Sequence, residues 1–208
     1  MKVYLVRHAE AHSNVRGGDA QPIDDVLTLD GISQLTGLSR FFVDNDIKMI
    51  YTSPILRAKE TARNMTLQEM SIEEWDDLRE RKGVFEVAYR FRALPEDKMI
   101  EAVRAARDGY PEWLPEHDEP FEKLRERVFR VKKCLEEGPL SAVAVVSHMG
   151  ILGVLLAFMK HGNTATEDVV VDYMYSINIP NASVSAVEYI PEQNCWEILS
   201  IGDVSYAP

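Results

Sequence analysis

The chain has 208 residues, of which 46% are hydrophobic, and its formal net charge is −11. This length and composition suffice for one α/β domain with one sizeable core. The acidic balance excludes the overall positive field that attracts nucleic acid or an anionic membrane, so we expect neither partner. An anionic ligand would need a local concentration of positive charge.

Cysteine use and hydropathy are typical of a cytoplasmic protein. Cys134 and Cys195 match no zinc spacing, and two cysteines are too few for a disulfide framework. The apolar stretch at the N-terminus is too short to be a signal peptide, and no other apolar run is long enough to span a bilayer. We therefore expect a cytoplasmic location, while the sequence does not specify the oligomeric state.

Strand and helix patterns alternate from the start of the chain. Residues 2–6 predict a short strand, and residues 27–42 predict a helix with Thr28 as its N-cap. The apolar residues at mostly helical spacing in that helix are Leu29, Ile32, Leu35 and Phe42. Residues 49–52 predict the second strand. This β-then-α order is typical of an α/β protein.

The second strand runs directly into the segment SPILRAKETARNM, residues 53–65. Ser53 can cap a helix here, and Pro54 suits the first helical position. The apolar stripe of this helix consists of Ile55, Ala58, Ala62 and Met65.

A third unit of the same kind lies near residue 145. Residues 142–146 form a continuous apolar run typical of a strand buried on both faces, and a helix is predicted from about 151 to 159. The preceding amphipathic helix is marked by Phe121, Leu124, Val128, Val131 and Leu135. Near the C-terminus, residues 184–190 and 195–201 predict two strands joined by a short hairpin loop.

The segment from about 84 to 120 does not follow this rhythm. Its prolines at 95, 111, 115 and 120 indicate a helical insertion over one edge of the core. The whole pattern predicts a single domain over residues 1–208. Its fold class is α/β, with a doubly wound, mostly parallel open sheet and a small helical cover.

Charged and imidazole side chains follow three of the predicted strands. Arg7 and His8 follow the first strand, Arg57 follows the second, and His148 follows the strand near residue 145. Each alone is more often a structural residue than a functional one. In an open α/β sheet, however, ligands bind outside the carboxyl ends of the strands, and the topology brings these residues to one rim. This shared placement favours a functional site.

Two arginines and two histidines, with no neighbouring cysteine or serine nucleophile, suit a phosphoryl group. Planar guanidinium groups match its oxygens and stay charged at all relevant pH values. A neutral imidazole can attack phosphorus, and adjacent arginines help by lowering its pKa. Transfer of a phosphoryl group to His8 is therefore chemically sound.

Several short motifs follow one another in a defined order. They are RHAEAHSN (7–14), LTLDG (27–31), SPILRAKETA (53–62), LRER (78–81) and VSHMGILGVLLA (146–157), with PNASVSAVEY and IGD near the C-terminus. In this order they resemble the motifs of the histidine phosphatase superfamily, also called the phosphoglycerate mutase-like family. The resemblance covers nearly the whole chain.

The resemblance implies a phosphohistidine mechanism that needs no metal. By resemblance, His8 is the histidine that becomes phosphorylated. Arg7, Arg57 and His148 would form the phosphate pocket, and Asn14 would be a further phosphate contact. A metal site at His8 and His12 is disfavoured, since this segment offers no third ligand.

The general acid is the position where the family pattern fits less closely. The family usually has the glutamate of an L-x-E-x-x-x-G stretch, and Glu80 fits its first part, while Gly83 comes one residue early. Glu80 is therefore the expected acid and Glu86 the competing one. Two further departures are Ala9 and Met149, which stand where the family usually has glycine.

The sequence thus predicts a phosphatase that hydrolyses small phosphorylated metabolites through a phosphohistidine on His8, without a cofactor. One alternative is a 2,3-bisphosphoglycerate-dependent phosphoglycerate mutase, in which Arg81 and basic residues of the segment 84–120 would hold a second anionic group. Another alternative is a non-catalytic phosphate-binding module. The sequence does not identify the substrate, because the irregular segment 84–120 is expected to determine specificity.

Overall fold

The strands of the protein form one six-stranded sheet in the order β3-β2-β4-β1-β5-β6. The computed structural model describes residues 1–16, 24–66, 70–81 and 119–206. The strands in these ranges are β1 (Lys2–Arg7), β2 (Met49–Thr52), β3 (Ser71–Glu74), β4 (Ala142–Ser147), β5 (Val184–Ile190) and β6 (Cys195–Asp203).

The sheet is mostly parallel, with an antiparallel hairpin at one edge. Strand β1 pairs in parallel with β4, and β2 pairs in parallel with both β4 and β3. On its other side β1 pairs with β5 in the antiparallel sense, and β6 completes the hairpin. The carboxyl end of β1 therefore lies beside the carboxyl end of β4 and the beginning of β5. The predicted mixed, mostly parallel open sheet is confirmed.

Helices cover both faces of the sheet, as a doubly wound fold requires. They are α1 (His12–Arg16), α2 (Leu29–Asp44), α3 (Leu56–Met65), α4 (Phe121–Glu137), α5 (Met149–His161) and α6 (Glu167–Ser176). Alternate residues of β1 enter two separate cores. Val3 and Leu5 pack on the face covered by α4, α5 and α6, whereas Tyr4 and Val6 pack on the face covered by α2 and α3.

Helix α2 begins as predicted but presents a different face to the core. The Thr28 side chain accepts a hydrogen bond from the Gly31 backbone N–H at 2.9 Å, which confirms the N-cap. Of the apolar residues at helical spacing, Leu35 and Phe42 are buried, whereas Leu29 and Ile32 are 86% and 47% exposed. The reason is that Gly31 faces the backbone of Glu10, where a Cβ atom would lie 2.1 Å from the carbonyl oxygen. This close approach turns the first turn of the helix so that Gly31 points inward.

Helix α3 begins later than predicted. It starts at Leu56 behind Ile55, which makes no side-chain cap, so Ser53 is not its N-cap and Pro54 is not its first residue. The Ser53 hydroxyl accepts a hydrogen bond from the Ile55 N–H and lies against His148 instead. The predicted stripe of Ile55, Ala58, Ala62 and Met65 is buried.

The predicted helical insertion at about 84–120 lies almost entirely outside the described residues. Its cover of the core, and the single domain over residues 1–208, stay predictions. Among the helices that the structure describes, none has the length and apolar composition needed to cross a membrane.

Gly31→Ala should test the close approach of α2 to Glu10. The added methyl group must displace the Glu10 backbone, and we expect a loss of about 1 to 3 kcal/mol in the free energy of unfolding, the usual range for overpacking. Urea denaturation measures this loss. Ser33→Ala, an exposed position in the same helix, is the matched control and should be nearly neutral. Equal unfolding free energies for Gly31→Ala and wild type would contradict the proposed packing.

Candidate active site

The sheet brings four of the sequence-predicted residues together at the carboxyl ends of β1, β2 and β4. Arg7 ends β1 and His8 follows it, Arg57 lies in the first turn of α3, and His148 lies between β4 and α5. The rings of His8 and His148 are 5.1 Å apart between centroids. The Arg57 Nε is 3.2 Å from the His8 Nε2. His8, Arg57 and His148 are buried, while Arg7 is half-buried.

The hydrogen bonds of His8 define its tautomer. Its Nδ1 lies 2.8 Å from the Ala9 carbonyl oxygen, which can only accept, so Nδ1 carries the proton. The Nε2 atom then has a free lone pair and accepts the hydrogen bond from Arg57. Burial, followed by the positive charges of Arg57 and Arg7, holds the pKa of His8 well below its usual value. His8 is thus a neutral imidazole whose Nε2 faces a guanidinium group.

His148 is also held neutral, with one ring nitrogen available to a ligand. Its Nε2 lies 2.8 Å from the Ser53 hydroxyl, and its buried Nδ1 has no hydrogen-bond partner among the residues that the structure describes. Burial lowers the pKa of His148 well below its usual value, and nearby His8 lowers it further. Since buried polar atoms are nearly always satisfied, Nδ1 is suited to donate a hydrogen bond to a bound oxygen.

The two arginines give the site its positive charge. The Arg7 Nη1 donates to the Ile179 carbonyl oxygen at 2.7 Å, whereas the buried Arg7 Nε has no hydrogen-bond partner within the described parts of the chain. Burial lowers the pKa of Arg7 to about 10, so its guanidinium remains charged at neutral pH. Burial also lowers the pKa of Arg57, and nearby Glu80 and Asp25 oppose that effect. An anion bound here would satisfy the Arg7 Nε and lie beside the Arg57 guanidinium.

Glu80 lies at the N-terminus of α5, beside this positive charge. Its carboxylate accepts backbone hydrogen bonds from Gly150 at 3.2 Å, from Ile151 at 3.3 Å and from Arg81 at 3.0 Å. Burial raises the pKa of Glu80, while the Gly150 N–H and the charge of Arg57 oppose the rise. The competing acid Glu86 lies outside the described residues.

Asn14 joins the site through its side-chain oxygen. The Oδ1 accepts hydrogen bonds from the Ala11 N–H at 3.0 Å and from the Asn181 amide at 3.2 Å. The same Asn181 nitrogen donates to the His8 carbonyl oxygen at 3.0 Å. These contacts fix the orientation of the Asn14 amide and leave its nitrogen as the atom that can donate to a ligand.

The loop of residues 179–183 holds the Arg7–His8 segment, and sequence reasoning did not assign it a role. Besides Asn181, the Ala182 N–H donates to the His8 carbonyl oxygen at 3.2 Å, and the Ser183 carbonyl accepts from the Arg7 N–H at 3.2 Å. Ala182 has a positive φ of 55°, a conformation that non-glycine residues rarely adopt. The sequence signal was present, because the polar Asn181 lies in the short segment just before the predicted strand at residues 184–190.

Two further hydroxyl groups support the site without having been predicted to do so. The Thr61 hydroxyl accepts from the Ala9 N–H at 3.0 Å and donates to the Arg57 carbonyl oxygen at 2.7 Å. The Ser53 hydroxyl orients His148, as described above. As for metals, the described ranges contain no group of three or more histidine, cysteine or acidic residues that could hold an ion.

The sequence and the fold both match known proteins. The profile of the "Histidine phosphatase superfamily (branch 1)" matches residues 3–204. The chain is 26% identical over 160 residues to the adenosylcobalamin/alpha-ribazole phosphatase of Escherichia coli (strain K12), which covers 76% of this chain and 78% of that protein.

Solved structures share the fold. Bacillus stearothermophilus YhfR superposes with a TM-score of 0.75 at 24% identity, covering 100% of this chain and 99% of that one. The phosphoserine phosphatase of Entamoeba histolytica, solved with 3-phosphoglyceric acid, superposes with a TM-score of 0.74 at 16% identity, with coverages of 100% and 99%. The match of the family profile over residues 3–204 confirms the family resemblance of the motifs: the chain belongs to the histidine phosphatase superfamily and is an enzyme with phosphatase activity.

Proposed function

We propose that the protein hydrolyses small phosphomonoesters in two steps through a phosphohistidine on the Nε2 of His8. The observation that carries this proposal is the state of His8, a buried neutral imidazole whose Nε2 lone pair faces the Arg57 guanidinium. A neutral nucleophile beside fixed positive charge is what attack on a phosphate dianion requires.

In the first step the His8 Nε2 attacks phosphorus, and the bond to the substrate oxygen breaks. Arg7, Arg57 and His148 hold the non-bridging oxygens, with the Asn14 amide as a further donor. Phosphorylation makes the ring cationic, and the Ala9 carbonyl that accepts from Nδ1 stabilises that charge. In the second step water attacks the phosphohistidine and releases inorganic phosphate.

Glu80 is the proposed general acid for the leaving oxygen, and afterwards the base for the attacking water. Burial already raises its pKa, and a bound phosphate dianion would raise that pKa further. The backbone N–H groups at the start of α5 favour the ionised carboxylate that remains after proton donation. Glu80 can therefore change its protonation state during the cycle without leaving its place.

The substrate class and the absence of a cofactor are part of the same proposal. Members of the family generally work without a metal, and we propose no cofactor for hydrolysis. Relatives named as phosphatases support a small phosphorylated metabolite as substrate. The cytoplasmic location stays a prediction.

Because the chain is an enzyme, the non-catalytic binding module is set aside, and one screen separates the mutase from the phosphatase. Arg81, a buried cation next to Glu80, favours the mutase as the second candidate, although its Nη2 lies 4.0 Å from the Glu167 carboxylate. Phosphomonoesters are assayed without metal, with and without 2,3-bisphosphoglycerate, for free phosphate and isomerised phosphoglycerate. Phosphate release alone supports the phosphatase, and bisphosphate-dependent isomerisation supports the mutase. The absence of both reactions would contradict both proposals.

His8→Ala should abolish turnover and prevent labelling of the protein by a ³²P-labelled substrate. We expect the acid-labile label on the His8 Nε2, so removal of the imidazole leaves no acceptor for the phosphoryl group in the proposed mechanism. Rapid-quench labelling followed by gel autoradiography measures the result. His12→Ala, an exposed histidine four residues later, is the control and should still be labelled. A label that persists in His8→Ala would disprove the mechanism.

Glu80→Gln should slow the hydrolysis of alkyl phosphates by about 10² to 10⁴-fold, the usual contribution of a general acid. Hydrolysis of p-nitrophenyl phosphate should lose much less, because its phenolate leaves without a proton. The readout is the phosphorylation rate for both substrates from stopped-flow or rapid-quench kinetics. Glu86→Gln is the comparison variant, and a leaving-group-dependent loss there rather than at Glu80 would reassign the acid.

Asn181→Ala should reduce kcat by about tenfold, because it removes the donor shared by the His8 carbonyl and the Asn14 amide. Because Asn181 acts through its neighbours, KM should change less than kcat. The melting temperature should stay close to that of the wild type, so that unfolding does not explain the lower kcat. Steady-state kinetics and thermal denaturation separate these effects. Asn178→Ala, an exposed asparagine three residues earlier, should retain wild-type kcat. A parallel loss of kcat in both variants would argue against a positioning role for Asn181.

A further inference from the structure

Met149 stands at the mouth of the site, directly after His148. It is the first residue of α5, its side chain is 40% exposed, and its Sδ lies 3.9 Å from the Nη1 of Arg7. The other methionines that the structure describes, residues 1, 49, 65, 70, 159 and 174, are buried or half-buried. Within the described part of the chain, the one exposed thioether therefore touches an arginine of the phosphate pocket.

We propose that Met149 is an oxidation site, at which conversion to the sulfoxide weakens phosphate binding by Arg7. The inference rests on the proposed phosphate-binding role of Arg7. It concerns a modification of the site rather than the hydrolytic reaction itself.

The reaction requires a two-electron oxidant of the peroxide class. A sulfur lone pair attacks one oxygen of hydrogen peroxide, and the S–O bond forms as the O–O bond breaks. The departing hydroxide then takes the proton from the oxygen now bound to sulfur, which leaves the neutral sulfoxide and one water molecule. Sulfur is oxidised by two electrons and the peroxide is reduced by two. Because Met149 is 40% exposed, a small oxidant such as hydrogen peroxide can reach this residue from solvent.

The contact with Arg7 is the reason that oxidation of Met149 would affect phosphate binding. A thioether sulfur is a weak hydrogen-bond acceptor, whereas a sulfoxide carries a polar oxygen on the same atom. That oxygen would lie within reach of Nη1, which already donates to the Ile179 carbonyl. It would compete with phosphate for the guanidinium and add partial negative charge beside the bound anion. A hydrogen bond to a charged group that is lost in this way corresponds to about a tenfold weaker Kd.

The two cysteines provide the main competing explanation for peroxide sensitivity, and they can be separated from Met149. Cys195 pairs with Ile190 at the end of β5, where Tyr189 binds the backbone of Met1, so it lies at the opposite end of β1 from His8. Cys134 is exposed on α4. Variants of Met149 retain both cysteines, and dithiothreitol reverses cysteine sulfenic acids and disulfides but not methionine sulfoxide.

The test measures the Kd of inorganic phosphate by calorimetry for the full chain before and after treatment with hydrogen peroxide, followed by catalase and dithiothreitol. Each protein is compared with its own untreated sample. In the wild type we expect the Kd to rise about tenfold and to recover after treatment with methionine sulfoxide reductases A and B. Met149→Leu should change less than twofold. Met70→Leu, which replaces a half-buried methionine, should stay as sensitive as the wild type.

A second variant tests the same contact without an oxidant. Met149→Gln places an amide oxygen at the position of the sulfoxide, and its Kd for phosphate should exceed that of Met149→Leu. Mass spectrometry assigns the sulfoxide in the treated wild type. The proposal is overturned if Met149→Leu is as sensitive as the wild type, or if wild type oxidised at Met149 binds phosphate unchanged. Because phosphate binding is measured without turnover, failure of the hydrolytic proposal would appear separately, as a protein that binds phosphate but does not release it from esters.

Discussion

The positive charge that the fold places at the end of its central strand is the constraint from which the rest of the site follows. Arg57 is buried and Arg7 is half-buried, and burying a cation is costly unless the protein or a ligand compensates it. The protein compensates these charges in part, through the Ile179 carbonyl and the nearby Glu80 and Asp25 carboxylates. In the proposed mechanism a bound phosphate adds negative charge beside both guanidinium groups, which would link binding of an anion to the stability of the folded state.

Burial, reinforced by the same positive charge, keeps the histidines neutral. Protonation of His8 would place a charged imidazolium in a buried position and add a third positive charge beside the two guanidinium groups. The imidazole therefore stays neutral and keeps its lone pair. At Glu80, by contrast, burial and the nearby positive charge have opposite effects on the pKa. Burial raises the pKa, and the arginine charges and the N–H groups of α5 oppose that rise. Burial and the arginine charges thus act in the same direction on His8, which stays neutral, and in opposite directions on the pKa of Glu80.

The sequence predicted the parts of this arrangement that are continuous along the chain. The apolar runs of β1, β2 and β4 identify their strands, and because parallel strands end at one edge, Arg7, His8 and His148 could be placed together before the structure was known. Glu80 and Asn14 came from the resemblance to the family. The buried face of α2 could not be predicted, because it depends on Gly31 packing against Glu10, a contact between distant segments that periodicity does not record.

Asn181 shows why the remaining site residues were missed. Its role depends on β5 running antiparallel to β1, so that the loop before β5, rather than the one after it, reaches the catalytic edge. Strand β4, on the other side of β1, runs parallel and brings its own carboxyl end, with His148, to the same edge. His8 is therefore held from both sides: its N–H donates to the Ser147 carbonyl of β4, and its carbonyl accepts from Asn181 and Ala182. If β5 ran parallel to β1, its carboxyl end would lie here. Because β5 is antiparallel, the loop that precedes it lies here instead and binds the backbone of His8. The change of strand direction beside β1 thus allows His8, the proposed nucleophile, to be fixed through its backbone while the Nε2 of its ring faces Arg57.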